Sequence, residues 1–229
     1  MPRMALEASS ETLRFTAPFR ISGHVFETSD VVVVTLRDGE FTGRGEGCGV
    51  YYLGDDAAHM MVEIEAARGA IEAGLTREGL RAVMRPGGGR NAVDCALWEL
   101  EAARSGTSVW ALAGEPAPRP LLTTFTLGAD TPEAMANGAR NYGQARAIKI
   151  KLTGDLALDI ARVAAVRAAR PDIWLGVDGN QGFKRGDLEP LVEALQGHGI
   201  KLLEQPLARG QEAELEGFES AIPIAATKA

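Results

Sequence analysis

From about residue 121 onward, short apolar strand-like runs alternate with helix-like stretches, and this alternation constrains the fold more than any other feature of the chain. Strands are expected over 121–127, 145–152, 173–178, 200–204 and 222–226. Helices are expected from Thr131-Pro132, from Asp155 to about Arg170, from Asp187 to about Gly197, and briefly over 211–219. Repeated strand–helix units imply a parallel sheet with right-handed crossovers. In the second strand, Ala147-Ile148-Lys149-Ile150-Lys151-Leu152, the two-residue period puts Lys149 and Lys151 on one face and the aliphatic residues on the other. Two ammonium groups on a covered face are costly unless carboxylates, a metal or a charged ligand stand opposite. The next two strands end in Asp178 and Glu204, so three successive units bring Lys-x-Lys, Asp and Glu to one rim of the sheet.

Composition excludes several classes of partner. The 229 residues carry a formal net charge of −7 and no Lys/Arg cluster, which argues against nucleic acid. No apolar run approaches the roughly 20 residues of a membrane span, and residues 1–10 lack the apolar core of a signal peptide, so no membrane partner and a cytoplasmic location are expected. The two cysteines, Cys48 and Cys95, fit a reducing compartment and have no zinc-ligand spacing, and His24, His59 and His198 stand apart.

The first half reads differently. Residues 13–15, 30–36 and 41–46 have strand character, and Arg37-Asp38-Gly39-Glu40 is a turn, which together suggest an antiparallel meander. Residues 17–23 read as a loop. Helices are expected over Asp56 to about Gly74, Arg77 to Met84 and Asn91 to about Arg104, with Arg85-Pro86-Gly87-Gly88-Gly89 as a mobile loop between the last two. The Pro-rich run 113–120 reads as a stiff linker. The expected domains are therefore an α+β unit over 1–118 and a βα unit over 119–229.

An α+β cap followed by βα units bearing Lys149-x-Lys151, Asp178-x-Asn180 and Glu204-Gln205-Pro206 resembles the enolase superfamily in its muconate-lactonizing branch, and within it most closely the dipeptide epimerases. The cap segments Phe19-Arg20-Ile21-Ser22, Gly43-Arg44-Gly45-Glu46 and the stretch from Asn91 to Leu100 resemble the family's specificity loop, hairpin exit and central helix. The resemblance implies a (β/α)8 TIM-type barrel with its site at the carboxyl ends of the strands. It implies Lys151 as the base that removes an α-proton, and Lys149 beside it, holding down its pKa and touching the substrate carboxylate. It also implies Asp178 and Glu204 as two of three carboxylate ligands to Mg²⁺, and Thr126 as a substrate contact. An α-proton beside a carboxylate is very weakly acidic, and a hard cation on the carboxylate oxygens brings its removal within reach of an amine. Asn180 and Gln181 would order the metal's surroundings.

The implied activity is a Mg²⁺-dependent epimerase or racemase, an isomerase acting on a small molecule such as an L-Ala-D/L-Glu-type dipeptide. N-acylamino acid racemase, o-succinylbenzoate synthase and muconate cycloisomerase share the same signature residues. A non-catalytic remnant or binding fragment is the alternative from another class. Blander readings also exist for each residue. Asp178 can form a turn in Asp-Gly-Asn, Thr126 is an ordinary strand residue, Arg20 reads as a solvated loop charge, and Trp98 and Trp174 read as packing residues.

A full barrel takes about 250 residues, whereas only about 110 follow the linker, enough for an incomplete barrel of about five strands. Relatives continue the fifth strand as Ile-Ala-Ala-Asp-Glu-Ser, whose Asp is the third metal ligand, whereas this chain reads Ile224-Ala225-Ala226-Thr227-Lys228-Ala229. Loss of the leading G from GAC GAA AGC gives ACG AAA GC, which encodes Thr-Lys-Ala, so a single-base deletion is expected, testable by resequencing. An open fifth-strand edge leads to the further expectation of poor solubility or homo-oligomerisation.

Overall fold

The computed structural model describes residues 4–226, so Thr227-Lys228-Ala229 lie outside the described residues. The chain divides into two compact units. One comprises the residues up to Phe15 and Thr28–Arg119, the other Thr16–Glu27 and the residues from Pro120 on.

The first unit builds on a sheet of order β1-β2-β3, with β1 at Ala5–Ile21, β2 at His24–Asp38 and β3 at Phe41–Cys48. Three helices follow, α1 (Ala57–Glu72), the short α2 (Arg77–Val83) and α3 (Gly88–Ser105), then a single turn, α4 (Val109–Leu112). Gly43, Gly45 and Gly47 recur every second residue and so line one face of β3. A Cβ at each would stand 2.1, 1.9 and 2.2 Å from the carbonyl oxygens of Ala96, Ala92 and Gly88, so α3 rests on bare strand backbone. Val32, Val34, Leu36, Met60, Ile64, Leu80, Val93 and Leu100 fill the core of this unit.

Two expectations fail here. Residues 17–21 are not a loop, because β1 runs unbroken to Ile21 and turns only at Ser22-Gly23 before β2. Pro18 had suggested a break, but a strand tolerates proline wherever its missing N–H is not needed in a ladder. Nor are Gly88 and Gly89 a mobile loop. They are buried in the first turn of α3, where Gly88 N donates to Asp55 Oδ2 at 2.8 Å and small residues let Met60 pack close.

In the second unit a parallel sheet runs in the order β4-β5-β6-β7-β8: Phe125–Leu127, Ala147–Lys151, Trp174–Asp178, Leu203–Glu204 and Ile224–Ala225. Helices α5 (Pro132–Asn141), α6 (Leu156–Ala169) and α7 (Leu188–Gly197) connect the first four. The local signals work as physics requires. Thr131 Oγ1 accepts from Ala134 N at 3.2 Å with proline at the first helical position, and Asp155 Oδ1 accepts from Leu158 N at 3.1 Å. Ile148, Ile150, Leu152, Leu175, Val177 and Leu203 are fully buried in the core that also holds Val163, Val166 and Leu191 of the helices, each aliphatic side chain contributing about 2 kcal/mol.

The chain thus comprises the expected incomplete barrel of five βα strands and an α+β unit. Its edges are shorter than expected. Residues 121–124 form no strand, Leu121 is 80% exposed, and the stretch 211–219 yields only a 3-10 turn at Glu212–Leu215. Apolar character alone does not make a strand where no neighbour supplies ladder partners. Among the described residues no helix is long and apolar enough to cross a membrane.

Candidate active site

Register places the charged residues together. Thr126 pairs with Lys149 across β4 and β5, Lys151 with Asp178 across β5 and β6, and Asp178 with Glu204 across β6 and β7. All stand at or near the carboxyl ends of their strands, on the face opposite the aliphatic core. Lys151 Nζ donates to Asp178 Oδ2 at 2.6 Å, and Lys149 Nζ crosses β6 to reach Glu204 Oε2 at 2.9 Å. The two pairs alternate in sign around one small area. Asp178 is 1% exposed and its second oxygen, Oδ1, accepts from Asn180 N at 2.8 Å. Strand alternation and the positions of strand ends therefore brought together the four charged residues that sequence had singled out.

The backbone at this rim is strained. Asn180, Gln181 and Gln205 have φ of 47°, 68° and 37°, left-handed values that cost non-glycine residues on the order of 1 kcal/mol each. Cross-strand bonds hold them there: Gly179 N to Glu204 O at 2.8 Å, Gln181 N to Gln205 O at 2.9 Å and Phe183 N to Pro206 O at 3.0 Å. Among the described residues the buried Asn180 Nδ2 finds no partner. The effect of this bracing is to fix Asp178 and Glu204 side by side.

A second network, unforeseen from sequence, supports the loop after Lys151. Asp159, fully buried, accepts from Thr153 N at 3.0 Å, Gly154 N at 2.9 Å and Arg162 Nη1 at 2.7 Å, while Arg162 Nε donates to Asp130 O at 2.6 Å. The i, i+3 spacing of Asp159 and Arg162 was the available signal, but the same spacing is common on solvated helix faces. The segment containing Arg20 and Ser22 lies against these loops. Ala129 N donates to Arg20 O at 2.8 Å, Arg20 pairs with Asp130 at 3.3 Å, and Ser22 Oγ donates to Thr153 O at 3.4 Å. Arg20, read from sequence as a solvated charge, is thus exposed yet ion-paired.

The donor chemistry suits a hard divalent cation, which prefers carboxylate oxygens, and Asp178 and Glu204 present them from adjacent, registered strands. Among the described residues no third carboxylate, histidine or cysteine completes a metal-holding cluster with them.

Comparison with known proteins gives the same outline. Residues 5–114 match the family described as mandelate racemase / muconate lactonizing enzyme, N-terminal domain, and residues 132–229 match the enolase C-terminal domain-like family. The chain is 37% identical over 209 residues to L-Ala-D/L-Glu epimerase of Escherichia coli, an alignment covering 91% of this chain and 65% of that protein. An enolase family member from Agrobacterium tumefaciens with homology to dipeptide epimerases, solved with sodium and L-Ala-L-Glu, superposes with a TM-score of 0.91 at 38% identity, covering 96% of this chain and 67% of that one. A dipeptide epimerase from Enterococcus faecalis, solved with Mg and L-Leu-L-Tyr, superposes with a TM-score of 0.89 at 26% identity, covering 98% and 67%. The chain thus spans about two thirds of the length of the relatives it matches.

Proposed function

The chain belongs to the enolase superfamily, in its mandelate racemase / muconate lactonizing branch, and from that premise we propose that its rim site removes the proton from the α-carbon of a carboxylate substrate, an L-Ala-D/L-Glu-type dipeptide. The observation that carries this reading is the alternating quartet Lys149–Glu204 and Lys151–Asp178 at the carboxyl ends of three neighbouring strands. Asp178 and Glu204 are the residues that would hold Mg²⁺. Bound there, the ion would supply positive charge to the substrate carboxylate and so acidify the adjacent C–H.

In this reading Lys151 Nζ, released from Asp178 and neutral, accepts the α-proton, while the electron pair of the C–H bond stays on the substrate and delocalises toward its carboxylate. The same nitrogen returns a proton, from solvent if it exchanges first. Lys149 keeps its charge and faces the carboxylate. Thr126, beside Lys149 in the sheet, offers a hydroxyl to the substrate. The buried, braced rim keeps these groups from needing to reorganise at the moment of transfer. Because Lys151 approaches the α-carbon from one side, the expected outcome is exchange on one face.

The test is solvent-deuterium incorporation at the α-carbon of L-Ala-L-Glu in D₂O, followed by NMR with Mg²⁺ and again with chelator. Incorporation that needs Mg²⁺ supports the reading. Its absence under conditions where an E. coli-type epimerase exchanges overturns it.

A further inference from the structure

The tip of the β1–β2 hairpin lands on the loops that leave the site-bearing strands. Residues 11–18 and 23–25 are exposed, whereas Phe19, Arg20, Ile21 and Ser22 between them are partly buried. They rest on glycines. A Cβ at Gly128, after β4, would stand 3.0 Å from Arg20 N and 3.3 Å from the Phe19 ring, and one at Gly182, after β6, would stand 3.0 Å from Ser22 Oγ. Gly154, after β5 and with φ of 91°, lets the second and third loops touch, since a Cβ there would lie 2.2 Å from Gly182 O. Polar contacts fix the tip at two places: Ala129 N and Asp130 hold Arg20, and Thr153 O holds Ser22. Both footholds are tied to one buried guanidinium. Arg162, its side chain 9% exposed, donates through Nε to Asp130 O at 2.6 Å and through Nη1 to Thr153 Oγ1 and Asp159 Oδ1, each at 2.7 Å. Asp159 takes the amides of Thr153 and Gly154 as well, although Asp155 already caps α6. A buried ion pair is a poor source of stability, because desolvation offsets most of its attraction and a well-packed aliphatic pair often does as well. What an aliphatic pair lacks is the means to fix two loops at once.

We propose that Arg162, clamped by Asp159, is a positioning residue: it holds the hairpin tip and the loop after Lys151 as one body, and the hold of the rim site on its ligand depends on that clamp. Arg162 acts through Asp130 and Thr153, not by touching the ligand. Thr153 follows Lys151 by two residues, so the same bonds that seat the tip also set the course of the chain leaving the lysine strand. If the ligand is held only while the tip is seated, its apparent affinity falls in proportion to the seated fraction. The identity of the ligand as a dipeptide rests on the functional reading above, whereas the clamp does not.

The experiment compares wild type with the double variant Asp159→Asn/Arg162→Met, which removes the clamp without leaving a bare buried charge and keeps an acceptor for the amides of Thr153 and Gly154. Amide exchange followed by NMR in the ligand-free protein reads the tip at Ala129, whose N–H donates to Arg20 O, and the sheet at Val177, whose N–H donates to Leu202 O. The rate at Ala129 relative to that at Val177 rises at least about tenfold in the variant, because the tip opens locally while the sheet does not. A residue that served stability alone would speed both amides alike, so an unchanged ratio overturns the proposal. If the double variant does not fold, Arg162→Lys makes the same comparison, since it keeps a charge for Asp159 but cannot bridge both loops with a planar fork. Calorimetry with L-Ala-L-Glu in MgCl₂ then reads the site: the variant binds at least about fivefold more weakly. Equal affinity with a released tip overturns the dependence of the site on the clamp. If wild type binds no dipeptide at all, the functional reading falls, and the exchange ratio alone decides the clamp.

Discussion

The two ends of the parallel sheet both concentrate cationic side chains but use them in opposite ways. At the amino ends of the strands Arg167 is wrapped in backbone carbonyls, donating to His198 O at 2.8 Å, Ile173 O at 3.0 Å, Gly199 O at 3.2 Å and Arg170 O at 3.3 Å. Arg170 does the same with Tyr142 O and Ala145 O, both at 2.8 Å, and adds the carboxylate of Asp172. These two guanidinium groups satisfy the carbonyls that helices α5, α6 and α7 leave open at their ends. Burial pushes the Arg167 pKa down from its ordinary value, but its acceptors are fixed backbone and cannot leave. At the carboxyl ends, Lys149 and Lys151 each have, among the described residues, a single carboxylate acceptor, beside a strained backbone and an amide that finds no partner there. A cation saturated by backbone contributes stability, whereas a cation sharing one carboxylate can trade it for a ligand.

The largest expected effect that tests this contrast is on chemistry. Lys151→Ala lowers any Mg²⁺-dependent α-proton exchange by at least about a hundredfold, the usual contribution of a positioned base. Deuterium incorporation measures it, and an unaffected rate means that another group is the base. Its melting temperature falls less than that of Arg167→Met. The latter leaves several buried carbonyls unpaired and costs about 3 kcal/mol or more, roughly 10 °C for a chain of this size. Thermal melts of the two variants side by side break the contrast if their order is reversed.

Smaller effects sharpen it. Asn180→Gly removes a buried donor that finds no partner among the described residues and relaxes a left-handed residue, so the ligand-free protein is equally stable or more stable, by up to about 1 kcal/mol, and its melting temperature does not fall. A clear drop in melting temperature instead marks Asn180 as structural. The smallest effect is at Asp172, where hydrogen bonding to Arg170 holds the carboxyl below the usual carboxylate range. A folded-state pKa below the unfolded one means that stability is present above about pH 4 and is lost as pH falls through the folded value. Asp172→Asn therefore flattens the acid limb of the stability profile slightly, and leaves the neutral-pH melt nearly unchanged because Asp172 is exposed and Arg170 keeps its backbone acceptors.

What could be read in advance follows from local rules. Strand alternation put both lysines on one face, strand ends located Asp178 and Glu204, and Asp56, Thr131 and Asp155 announced helix starts because their side chains bond the first free amides. Other features depended on contacts far along the chain. The burial of Gly88 and Gly89 follows from partners dozens of residues away, Asp55 and Met60.

The amino-acid order by itself determined the alternation of strands and helices and the set of charges that meet at the rim, because both depend on periods of two to four residues. Only the tertiary structure decided which lysine pairs with which carboxylate, and that Asp159 and Arg162 brace the loop after Lys151. Those outcomes turn on ångström-scale packing between segments distant in sequence, which no short-range pattern encodes.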